Sequence, residues 1–127
     1  MADERIQLAL EVEPEAGTSD EEVRRLTADL RRQLLQLSID DAVPAEADEL
    51  PRGAKGDPLT IGGLILTLAG SPELIKGVFG LVQSWLSTRS ARSIAVTIGN
   101  DSITISGARS EEQQRLVELF LERHRPR

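Results

Sequence analysis

The chain has 127 residues with a net charge of −6, three aromatic side chains and no cysteine. The absence of cysteine excludes disulfides, thiolate nucleophiles and zinc sites with cysteine ligands. An acidic chain with so few aromatic rings lacks both the basic stripe and the stacking platform of a nucleic-acid-binding protein, so we expect no nucleic-acid partner.

The first third of the chain predicts a strand, a helix and a second strand, within a single domain that covers 1–127. Apolar and polar residues alternate over 6–12, as they do in a half-buried strand. Ser19 and Glu22 have the spacing of a capping box, and the apolar stripe behind them predicts an amphipathic helix of about 18 residues. Residues 39–43 then indicate a short strand at the edge of a sheet.

The middle of the chain is its most distinctive part. Between Asp57 and Arg89 the only charged residues are Glu73 and Lys76. A segment this apolar must be buried in a core, against another subunit or at a membrane surface.

The pattern of this segment predicts helices that follow a loop. Residues 44–57 combine charges with proline and glycine, as in a connecting loop. We predict an apolar helical region over 58–88, because Asp57 can cap a helix that begins with a proline. The sequence Ser71-Pro72 repeats this start signal, so the region is either two helices that meet at Gly70 or one helix that kinks at Pro72.

The last third of the chain predicts a hairpin and a final helix. Isoleucine and valine alternate with smaller or polar residues over 94–98 and 103–105, and the Gly-Asn-Asp sequence at 99–101 favours a tight turn between them. Ser110 begins another capping box, and apolar residues over 116–121 give the following helix one apolar face.

These elements follow the order β-α-β-α(α)-β-β-α, which predicts an α+β fold. We expect a two-layer sandwich in which a mostly antiparallel sheet of about four strands carries its helices on one face. The apolar region contains five glycines, and glycine inside a helix costs about 1 kcal/mol relative to alanine. Close approach of another backbone explains their presence, and that backbone belongs either to the domain's own sheet or to a second chain. The five are Gly62, Gly63, Gly70, Gly77 and Gly80.

No group of residues has the pattern of an enzyme site. Glu73 and Lys76 are spaced as an ordinary ion pair on a helix surface. His124 is the only histidine, and its sequence neighbours include neither a carboxylate to orient it nor a second metal ligand. Glycines surround Lys55 ahead of a predicted helix, but they do not match the phosphate-binding fingerprint. We therefore predict a non-enzymatic protein without catalytic, cofactor-binding or metal-binding residues.

Three segments of the chain carry a family resemblance: the run RGAKGDPLTIGGL at 52–64, Trp85 in VQSWLSTR, and the helix start marked by Ser110, Gln113 and Gln114. They resemble the effector-associated constant component family of bacterial conflict systems. The resemblance covers most of the chain. It implies a small non-enzymatic component that is encoded beside variable effectors, often caspase-like or trypsin-like peptidases, and beside nucleotide-dependent regulators. The family has no established catalytic residues to carry over.

From this resemblance and the apolar region we predict a cytoplasmic adaptor or scaffold in a bacterial conflict or anti-phage defence system. It would recruit or regulate an effector through protein–protein contacts, either by homo-oligomerisation or by hetero-association. Buried aromatic side chains dominate interface energetics, which makes Trp85 and Phe79 the predicted anchors, although core packing is the favoured explanation of Trp85. The full set of predicted partner-binding residues is Trp85, Phe79, Leu64, Lys55, Gly53 and Gly56.

The alternative prediction is a module that associates with a membrane surface. It would insert the apolar segment 59–86 at the bilayer, although the flanks lack the lysine-rich polar face typical of an interfacial helix.

Overall fold

The computed structural model describes residues 5–46, 59–88, 91–107 and 110–124. Within these ranges five strands and three helices follow one another in the order β-α-β-β-α-β-β-α. They are β1 (Arg5–Pro14), α1 (Asp20–Leu34), β2 (Asp41–Glu46), β3 (Leu59–Ala69), α2 (Pro72–Leu86), β4 (Ala91–Ile98), β5 (Asp101–Ser106) and α3 (Glu111–Arg123).

The strands form one open antiparallel sheet in the order β2-β3-β1-β4-β5. Alternate residues of the three central strands point to one face, where all three helices contribute to a single apolar core. The α+β class and the placement of the helices on one face are therefore confirmed. On the opposite face Ile65 packs with Ala45 and Ala9 in a smaller cluster.

The predicted helix at the start of the apolar region is wrong, because residues 59–69 form the strand β3. This strand pairs with β1 on one side and β2 on the other, and Leu64, Leu66 and Leu68 point into the core. A strand paired along both edges and buried has a continuous apolar sequence, which periodicity alone does not distinguish from a buried helix. The sheet consequently has five strands, and only the second half of the region is helical.

This correction removes the basis of the membrane alternative. Residues 59–69 of the segment expected to insert at a bilayer lie inside the sheet, and Leu64, Leu66 and Leu68 are less than 2% exposed. Most of the remainder forms α2, whose apolar face is buried. The loop predicted over 44–57 also changes, because residues 44–46 belong to β2. Its remaining residues, together with the expected helix cap at Asp57, lie outside the described part of the chain.

The glycines of this region differ in how closely other atoms approach them. A Cβ atom added to Gly62 would lie 2.8 Å from the carbonyl oxygen of Val12, so the close backbone approach predicted there is confirmed, within the domain's own sheet. Gly77 and Gly80 are different, because an added Cβ would meet nothing within 4 Å. At these two positions no contact with a described residue requires glycine.

The local signals at helix starts and at the hairpin are confirmed. Ser19, Ser71 and Ser110 each accept a hydrogen bond from the amide three residues later, at 3.1, 3.3 and 3.1 Å. The hairpin between β4 and β5 turns at Gly99, whose φ of 60° suits the first central residue of a type II′ turn.

Candidate partner-binding groove

A concave surface lies between α2 and α3. The first half of α2 lies beside the second half of α3, and two adjoining depressions of about 310 and 240 Å³ follow the line between the helices. Lys76, Glu118 and Leu121 line both depressions, so together they form one continuous groove.

The floor of the groove is apolar. Ile75 and Phe79 of α2 are buried beneath it, and Val117 and Leu121 of α3 are half-buried along its other wall. The ring of Phe79 meets the edge of Phe120 with 5.9 Å between centroids, which fixes the two helices against each other.

The rim of the groove is charged. Lys76 and Glu118 are both exposed, and neither forms an ion pair with another residue in the described ranges. With Glu122, which is also exposed, the rim carries one lysine and two glutamates above an apolar floor.

Two residues leave the wall of the groove incomplete. The side-chain amide nitrogen of Gln83 is buried and has no hydrogen-bond acceptor within the described residues. Gly80 lies one helical turn before it, is exposed, and leaves open space where a side chain would stand. At this point the groove combines an unused donor with room for the close approach of another backbone.

Polar contacts at both ends fix α3 to the edge strand β5. The Gln113 amide accepts a bond from the Ser106 backbone nitrogen at 3.0 Å and donates one to its carbonyl oxygen at 3.2 Å. At the other end Asp101 lies 2.9 Å from Arg123 and 3.0 Å from His124. His124 therefore has a carboxylate neighbour that its sequence context did not reveal, and its side chain is only 18% exposed.

The structure places the predicted partner-binding residues in three different settings. Phe79 lies beneath the groove, as part of its floor. Trp85 and Leu64 belong to the core with 3% and 1% exposure, so a partner would reach them only if the chain opened. The others lie outside the described residues; they are Lys55, Gly53 and Gly56.

Trp85 has a specific structural role. Its indole nitrogen donates a hydrogen bond of 2.9 Å to Asp29 of α1, and Asp29 also accepts a bond of 2.5 Å from Arg32. This contact links the end of α2 to the middle of α1. It favours the core-packing interpretation of Trp85.

Sequence reasoning missed Gln83, Lys76 and Glu118 as groove residues. Gln83 directly follows the apolar residue Val82, and this position is typical of an ordinary surface residue of an amphipathic helix. Lys76 and Glu118 lie on different helices, and only the packing of α2 against α3 brings them to the same groove.

The described residues contain neither a helix long and apolar enough to cross a membrane nor a group of three or more potential metal ligands. Comparison with known proteins found no matching family model, no matching curated protein and no matching solved structure.

Proposed function

We propose that this protein is a non-enzymatic adaptor of a bacterial conflict system, which binds a variable effector in the groove between α2 and α3. The family resemblance provides the class of partner, which is a caspase-like or trypsin-like peptidase. The groove provides the surface. The proposal includes a cytoplasmic location and a regulatory role in defence.

The observation that carries this proposal is the unpaired amide nitrogen of Gln83. A buried donor without an acceptor costs about 1–3 kcal/mol of stability. Rotation of the Gln83 side chain toward the groove would expose this nitrogen, and a carbonyl oxygen of a docked segment would then remove that cost. Gly80 beside it leaves the space that a backbone needs to reach the amide.

The lining of the groove defines the chemistry of its partner. Its apolar floor suits the large apolar side chains of a docked segment, whose burial provides about 25 cal/mol per Å². Above that floor, Lys76 suits an acidic residue and Glu118 suits a basic one. We therefore expect an amphipathic segment of the effector that carries both charges beside its apolar residues.

The test is co-purification with the proteins encoded beside this chain. Each neighbouring protein is co-expressed with the tagged chain, and capture is measured for wild type and for Gly80→Arg, which places a long side chain in the groove from a position where its Cβ has open space. The matched control is Ser84→Arg, which introduces the same side chain at an exposed position one turn further along α2. We expect Gly80→Arg to lose a neighbour that wild type and Ser84→Arg retain.

The variant Gln83→Leu tests the same site, and it should affect stability and capture in different ways. Removing the unpaired donor should leave the melting temperature unchanged or raise it, and it should weaken capture at least about tenfold, corresponding to about 1.4 kcal/mol. Full capture of an effector by both Gly80→Arg and Gln83→Leu would contradict the proposed binding site.

A further inference from the structure

A second surface of α3 remains apolar and exposed on the flank away from the groove. Leu116 is 52% exposed and Leu119 is 61% exposed, although both residues belong to an otherwise amphipathic helix. They are three positions apart, so their side chains are neighbours on the helix surface. The described residues that face the core from α3 are different, with Phe120 as the buried one.

Opposite charges flank this leucine pair along the same stripe. Glu112 lies four positions before Leu116, and Arg123 lies four positions after Leu119. Steps of four, three and four keep all four residues on one side of the helix. Both charged residues are exposed.

The stripe is self-complementary under a two-fold rotation. Glu112 and Arg123 are equally distant from the midpoint between Leu116 and Leu119. Two antiparallel copies centred on that midpoint place leucine against leucine, and they place each Glu112 opposite the Arg123 of the other copy. Such an interface satisfies the requirement of a two-fold dimer that one patch bind itself.

We propose that two copies of this chain associate through α3 as an antiparallel, two-fold symmetric helix pair. Leu116 and Leu119 form its apolar centre, and Glu112 of each copy pairs with Arg123 of the other.

The contact between Arg123 and Asp101 is compatible with this pairing. Asp101 engages the Nε atom of Arg123, and the side chain remains 72% exposed. A guanidinium has five N–H donors in a planar fork, so the terminal nitrogens can bind a second carboxylate while Nε keeps the first. Asp101 therefore also holds Arg123 in position for the second copy.

The surface available to the dimer is small. A helix of 13 residues is about 20 Å long, and one face of it buries less than the roughly 800 Å² per partner of a standard interface. We therefore expect a reversible dimer whose population depends on concentration. The groove lies on the other flank of α3, so each copy keeps its groove open. The inference is independent of the proposed effector binding.

The test is sedimentation of the purified full chain over a hundredfold range of concentration. Wild type should move from the monomer mass of 13.9 kDa toward twice that value as concentration rises. Leu119→Glu should stay monomeric throughout, with an unchanged circular-dichroism spectrum because the leucine is exposed. Wild type that remains at the monomer mass at the highest concentration would overturn the proposal.

Charge-reversal substitutions test which residues form the interface. Glu112→Arg and Arg123→Glu should each weaken self-association at least about tenfold, since each places like charges in contact. An equal mixture of the two variants should associate again, because the mixed pair restores an opposite charge at both contacts. Glu111→Arg is the matched control, with the same change at a neighbouring first-turn position off the stripe, and it should dimerise like wild type. A dimer that survives both single exchanges, or a mixture that stays monomeric, would overturn the proposed pairing.

Discussion

The helices α1 and α3 have similar sequence signals at their termini, but they are buried to different extents. Each starts with a serine cap, and each has acidic residues in its first turn and arginine in its last. Yet α1 buries five side chains along its inward face, whereas α3 buries only Phe120. The five in α1 are Val23, Leu26, Thr27, Leu30 and Leu34.

The position of each helix over the sheet explains this difference. Helix α1 lies over β3 and its neighbours near one side of the sheet, where strands continue beneath it and α2 stands beside it. Helix α3 lies over β5, which is the last strand, so one of its flanks extends beyond the sheet. At this edge α3 covers less of the sheet, and Leu116 and Leu119 stay exposed. The α1 side therefore maintains the fold, and the α3 side is where we expect binding.

The largest expected effect is at Trp85, which lies in α2 and contacts α1 through Asp29. Trp85→Ala removes a buried ring and its bond to Asp29, so we expect a loss of about 3–5 kcal/mol in the free energy of unfolding. Urea denaturation measures this loss. A variant with wild-type stability that no longer captured its effector would instead support the role of Trp85 as an interface anchor.

The second prediction compares equivalent truncations in the two helices. Leu30→Ala should cost about 2–5 kcal/mol, because the side chain is fully buried. Leu119→Ala should change stability by no more than about 0.5 kcal/mol in dilute solution, because 61% of the residue is already exposed. Equal losses from the two truncations would show that α3 is as much a part of the core as α1.

The smallest expected effects distinguish two glycines. Gly62→Ala forces a Cβ against the backbone of Val12 and should destabilise the chain by about 1–3 kcal/mol. Gly80→Ala meets no neighbour and should stabilise it by up to about 1 kcal/mol, from helix propensity alone. Thermal unfolding separates the two, and a destabilised Gly80→Ala would contradict the open space in the groove.

Local sequence signals predicted the helix caps, the hairpin and two of the helices. The strand β3 and the groove depend on contacts between distant parts of the chain. The serine caps, the hairpin at Gly99 and the helices α1 and α3 follow from neighbouring residues, and the structure confirms them. The strand β3 does not, because only its pairing with β1 and β2 makes an apolar run a strand. The groove could not be predicted either, since Lys76 and Glu118 line the same surface only when α2 packs against α3.

The most direct test of the contrast between the two helices is hydrogen exchange of the full chain at low and high concentration. We predict that α1 amides are strongly protected at both concentrations, because α1 unfolds only with the core. Amides of α3 should exchange faster when the chain is dilute and slow down when it is concentrated, as the second copy covers Leu116 and Leu119. Equal protection of α1 and α3 in dilute solution, with no change on concentration, would contradict the assignment of α3 as the binding side.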